Sequence, residues 1–173
     1  MDRVKLNPTG KTYYFNFNEY SCYKCKTGVC PLDALTLDEI KNLQKIDRYY
    51  IKEDSEEYCT DFARQILNFD NNEFYDFSRT IWLYYNEQCG HYSVEGQHRT
   101  CIIARIYKKG GKVKYEPHFS TQSGQCLHCL NKEHFIKLEN SLKFFDKLFK
   151  TKKYKEVNEY KKRNQNKISL FYF

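Results

Sequence analysis

A chain of 173 residues is long enough to bury a core of its own, and fits one domain or one domain with an extension. Tyr and Phe (16 and 13) far outnumber the single Trp, so the core is expected to be built from rings. The formal charge of +7 is uneven: residues 151–173 carry seven Lys and Arg against two Glu, which puts +5 there and leaves the rest near neutral.

No apolar window approaches a membrane span, and Met1-Asp2-Arg3-Val4-Lys5-Leu6 lacks the apolar core of a signal peptide, so a cytoplasmic protein with no membrane partner is expected. In that compartment eight cysteines point to thiols or metal ligands and away from a disulfide framework.

In chain order, Tyr13-Tyr14-Phe15-Asn16-Phe17 reads as a strand. Cys22-Tyr23-Lys24-Cys25 follows, near Thr27-Gly28 and Cys30-Pro31, and forms a knuckle: two sulfurs three residues apart can face one tetrahedral ion at about 2.3 Å. A second knuckle, Cys126-Leu127-His128-Cys129, comes after Gly124. Four thiolates from Cys22, Cys25, Cys126 and Cys129 satisfy a structural zinc ion and leave no position for water, so this metal folds the chain and does no chemistry. Separate reduced thiols, or a mixed site taking Cys30 or His128, are the alternatives. Cys59, Cys89 and Cys101 lack partners at ligand spacing, and Cys101 reads as core.

Thr36-Leu37-Asp38-Glu39 is a capping box that starts a helix to about Ile46, burying Ile40, Leu43 and Leu37. Residues 47–58 read as a charged loop, and a helix from Glu57 to Asn68 turns Phe62, Ile66 and Leu67 inward. Asp70-Asn71-Asn72 breaks the chain before the apolar strand Thr80–Tyr85. A turn at Asn86–Gly90, a returning strand His91–Val94 and a helix from Thr100 to Lys109 follow, the helix closed by Gly110-Gly111. Lys112–Glu116 alternates like an edge strand.

From Lys132 onward, Phe135, Leu138, Leu142, Phe145 and Phe149 mark one face of a helix of several turns, read as a core face. Residues 151–167 are basic and helix-compatible. Lys152, Lys153, Lys155, Lys161, Lys162 and Arg163 there make either a solvated face or an electrostatic footprint for nucleic acid.

Between the returning strand and its helix stands Glu95-Gly96-Gln97-His98-Arg99. Gly96 permits a sharp turn, and the unpaired amides of a helix start, with a nearby guanidinium, attract an anion. A capped helix start with His98 bonded to a neighbouring carbonyl is the plain reading beside it. The pentapeptide resembles the acid-Gly-x-His-Arg element of the ParB/sulfiredoxin-like superfamily, and Leu35–Leu43 is similar to the helix that packs beside that element.

The resemblance, over roughly residues 35–118, implies an α/β (α+β) fold: a small mixed sheet with packed helices. The chain then divides into an N-terminal segment 1–34 with the first knuckle, this domain over 35–130 ending in the second knuckle, and a basic helical extension 131–173. The resemblance further implies phosphate binding through Gly96, Gln97, His98 and Arg99, with Glu95, His98 and Arg99 as catalytic residues for phosphoryl transfer or phosphodiester cleavage on a nucleotide or nucleic acid. Mg²⁺ or Mn²⁺ would accompany the nucleotide. The alternative is a non-catalytic zinc-stapled module that binds nucleic acid or a protein partner.

Overall fold

The computed structural model describes residues 2–46, 51–69, 80–164 and 170–173. Its strands are β1 (Asp2–Arg3), β2 (Thr12–Tyr14), β3 (Trp82–Asn86), β4 (His91–Glu95), β5 (His118–Gln122) and β6 (Leu170–Tyr172), joined in one mixed sheet of order β1-β5-β3-β4-β2-β6. The helices are α1 (Tyr23–Thr27), α2 (Pro31–Ala34), α3 (Leu37–Asn42), α4 (Glu56–Asn68), α5 (Gln97–Lys108), α6 (Leu127–Asn140), α7 (Phe144–Leu148) and α8 (Lys152–Asn164). The break expected at residues 70–72 lies outside the described residues.

The β3–β4 hairpin forms where the aromatic run and its return place it, with Asn86 opposite His91 and Trp82 opposite Glu95. Its turn closes on Asn86, whose carbonyl accepts from the Gly90 amide at 2.8 Å. Gly90 has φ +68°, a left-handed backbone that glycine adopts without penalty. The buried Asn86 amide nitrogen adds bonds to the carbonyls of Tyr84 and His91 and to Ser93 Oγ.

Two parallel pairings decide what meets at each end of this hairpin. β5 runs parallel to β3, with Gln122 beside Asn86, and so delivers the following residues to the turn. β2 runs parallel to β4, with Tyr13 beside Tyr92 and Tyr14 beside Ser93, and so carries its chain away from the turn toward the start of α5.

The expected capping box opens α3: Thr36 Oγ1 accepts from the Glu39 amide, and Glu39 Oε2 accepts from the Thr36 amide. α3 and α4 pack together, and α4 packs on α5. The core between helices and sheet contains Phe62, Ala63 and Ile66 of α4, Ile102, Ile103 and Ile106 of α5, and Ile81 and Leu83 beside them. Rings complete it, with Tyr13, Phe15, Phe17, Phe171 and Phe173 in mutual contact.

Two expectations are corrected. Residues 112–116 form no strand; the partner of β3 is β5, which starts six positions further on and carries β1 on its outer edge. The long helix expected from Lys132 is two helices, broken at 141–143, and no residue of α6 or α7 is buried. Phe135 stacks on Tyr160 of α8 at 4.9 Å, while Phe145 and Phe149 face solvent. A second helix, α8, takes the place of the sheet as the surface this stripe meets.

Candidate metal centre

The hairpin turn and the loop after β5 run side by side. The Glu87 amide donates to the Gln122 carbonyl at 3.0 Å, and the Gln88 amide to the Gly124 carbonyl at 3.4 Å. This lacing sets Cys89 and His91 against Cys126, the residue before α6, and Cys129, in its first turn. The ligand atoms of Cys89, His91, Cys126 and Cys129 all lie within 4.8 Å of one another. His91 Nδ1 stands 3.4 Å from Cys126 Sγ and 3.4 Å from Cys129 Sγ. A tetrahedral zinc ion with bonds of about 2.3 Å to sulfur and about 2.0 Å to nitrogen requires an N···S edge of about 3.5 Å. The donor set therefore fits: three soft sulfurs and one imidazole can hold a metal ion such as zinc. Nδ1 is the nitrogen that faces the sulfurs, so metal binding assigns the ring proton to Nε2.

The thiols are poised unequally. Burial opposes ionisation of Cys89, yet the backbone amides of Cys126 and His91 outweigh it and hold this thiol below its ordinary range. The Cys126 amide donates to Cys89 Sγ at 3.3 Å. Burial, then the adjacent Cys126, pushes Cys129 up to about 12, and burial also raises Cys126. Three sulfurs this close cannot all ionise without a cation; a divalent ion removes that cost and releases the protons.

The expected four-cysteine staple is corrected by half. Cys126 and Cys129 are in the cluster, whereas Cys22 and Cys25 are not: the parallel run of β2 sends them to the opposite end of the hairpin. There Cys22 lines a cavity with Cys30, Cys59, Cys101 and Arg105. Cys30 belongs to that cavity, and the His128 ring lies against Tyr14 at 6.4 Å, so neither replaces a ligand in the cluster. Cys89 and His91 supply the missing half. Cys89-Gly90-His91, two donors flanking a glycine in a hairpin turn, was the available signal.

At the α5 start, Gly96 has φ +83°, and no side chain caps the helix. Glu95 is exposed and accepts from the Tyr84 hydroxyl at 3.3 Å. Gln97 Oε1 accepts from the Asn16 amide, tying the exit of β2 to α5. The His98 ring is packed against Phe17 at 4.6 Å and Tyr58 at 5.0 Å, and burial lowers its pKa. Arg99 donates to Thr80 Oγ1 at 2.7 Å and lies over the Phe62 ring. On α8, Lys152, Lys155, Lys161 and Lys162 are exposed, Lys161 paired with Glu139 at 2.6 Å, while Lys153 donates to the Ser141 carbonyl. The Arg163 side chain lies outside the described residues.

No family model, curated protein or solved structure matches the chain. Fold and site together define a mixed α/β protein with a Cys₃His cluster that can hold a metal ion. Among the described residues, no helix is long and apolar enough to cross a membrane.

Proposed function

We propose that this chain is a zinc-stapled, non-catalytic binding module for nucleic acid. The zinc reading is carried by the closed set of four donors, Cys89, His91, Cys126 and Cys129, within 4.8 Å of one another. A set of four leaves no open position for water or substrate, so the ion holds the hairpin to α6 and leaves the chemistry to other groups. The nucleic-acid reading is supported by the exposed lysines of α8 and by the uncapped start of α5, whose amides and Arg99 suit a phosphate. A ParB-like fold and phosphate contact at Gly96–Arg99 belong to this same proposal.

Turnover with Mg²⁺ or Mn²⁺ at Glu95, His98 and Arg99 is the weaker reading, because His98, the candidate proton carrier, is packed between rings. Hydrolysis of a nucleotide or of DNA by wild type that is lost in Arg99→Ala would restore it.

Elemental analysis tests the metal. One zinc per chain is expected in wild type and in Cys22→Ser, with a fall to a small fraction in Cys89→Ser and Cys126→Ser. Equal loss in Cys22→Ser, or no zinc in wild type, overturns it. The partner is tested by DNA binding against salt. Changing Lys152, Lys155 and Lys162 to Gln is expected to flatten the slope of log affinity against log salt by about 0.9 for each phosphate contact removed. An unchanged slope makes α8 a solvated face.

A further inference from the structure

The eight cysteines divide by location. Three join His91 in the metal centre, and the other five gather at the opposite end of the hairpin. Cys22, Cys30, Cys59 and Cys101 line one cavity, and Cys25 is hydrogen bonded to Cys22. Among the described residues, the close ligand geometry of a metal site occurs at Cys89, His91, Cys126 and Cys129 and not here.

Arg105 lines the same cavity. It is 7% exposed, pairs with Asp33 through Nη1, and carries a buried Nε with no hydrogen-bond partner. Paired with Asp33 on one side, the guanidinium keeps a spare donor at Nε, and the sulfurs that line the cavity are acceptors of the kind it lacks. The thiols differ. Burial raises Cys30 and Cys59, and pushes Cys101 up to about 12. Cys22 instead accepts from the Cys25 thiol and from the amides of Cys25 and Lys24, and against its burial is brought down to about 6. Cys22 is thus the lining thiol that ionises most readily.

Cys22 and Cys25 share a helical turn, since the Lys26 amide donates to the Cys22 carbonyl at 3.1 Å. Residues three apart on such a turn are about 5–6 Å apart at Cβ, near enough for modest side-chain and backbone adjustment to close a disulfide. Lys24 and His98 also line the cavity, beside the apolar Phe17, Leu32 and Ile102, and its space admits a molecule of about the size of water, which suits hydrogen peroxide.

We propose that Cys22 and Cys25 are a redox-active dithiol that hydrogen peroxide converts to an intramolecular disulfide. The Cys22 sulfur attacks one peroxide oxygen, and the O–O bond breaks. The leaving hydroxide takes a proton and departs as water, and Cys22 is left as a sulfenic acid. The Cys25 sulfur then attacks the Cys22 sulfur, the S–O bond breaks, and water leaves with the Cys25 proton. Two thiols lose two electrons to the peroxide, giving one disulfide and two waters. Arg105, in the same cavity, adds positive charge that favours the thiolate of Cys22.

The test treats the full, zinc-loaded chain with one equivalent of hydrogen peroxide. Free thiols are then alkylated under denaturing conditions and the peptides are mapped by mass. A Cys22–Cys25 disulfide, reversed by dithiothreitol, is expected, with Cys30, Cys59 and Cys101 alkylated and zinc retained. Glutathione disulfide at the same concentration is expected to form it at least tenfold more slowly. Cys25→Ser is expected to stop at a sulfenic acid on Cys22, trapped by dimedone, with a rate that falls as pH drops through about 6. A disulfide to another cavity cysteine, oxidation confined to Cys126 and Cys129 with zinc release, or no dimedone adduct in Cys25→Ser overturns the proposal.

Discussion

His98 shows how much one side chain's surroundings decide. As sequence it is a candidate phosphate contact and proton carrier; in the fold its ring fills the gap between Phe17 and Tyr58. Burial disfavours its charged form, so its folded pKa lies below the ordinary value near 6.5. The folded state therefore binds fewer protons than the unfolded state across that interval. The resulting stability is fully present above about pH 6.5 and is lost as pH falls through the lowered folded value. His98→Leu, which cannot titrate, is expected to lose less stability than wild type between pH 7 and pH 5, measured by urea midpoints at each pH. Equal losses would show that this ring does not titrate with folding.

At the scale of the element, local signals were reliable where local physics decides. The Thr36–Glu39 box is made by residues three apart and formed as written. The hairpin also formed as read, since its strands and turn are contiguous in sequence. Gly96 joins β4 to α5 in a conformation that an L side chain resists, and a Cβ there would meet Ile81 Cγ1 at 3.1 Å. Gly96→Ala is expected to cost about 1–2 kcal/mol from the left-handed backbone alone, read as a lowered denaturant midpoint. An unchanged midpoint would mean the turn relaxes freely. Periodicity misled at the C-terminal stripe, because a repeat of three and four specifies a face and not what covers it. Here α8 covers part of that face, and Phe145 and Phe149 remain outside.

For the whole molecule, the C-terminal stretch is part of the fold. β6 pairs with β2, and Phe171 and Phe173 are buried among Tyr13, Phe15 and Phe17. Two such rings each contribute about 1.5–3 kcal/mol by burial, a large share of a small domain's margin. Removing residues 151–173 is therefore expected to lower the thermal midpoint sharply or prevent folding, whereas the lysine changes on α8 leave it nearly unchanged. A truncated chain that melts like wild type would return this stretch to the status of a tail.

Short-range patterns specified the pieces: a capped helix, an aromatic hairpin, a Gly-punctuated helix start, and a Cys126–Cys129 knuckle ready for a partner. Each depends on residues within a few positions of one another. Which donors complete that knuckle was decided only by the tertiary structure. β5, parallel to β3, brings Cys126 and Cys129 to the hairpin turn, where Cys89 and His91 stand. β2, parallel to β4, takes Cys22 and Cys25 to the other end. Strand direction fixes which ends of the sheet meet, and pairings between distant segments leave no periodic trace in either segment alone.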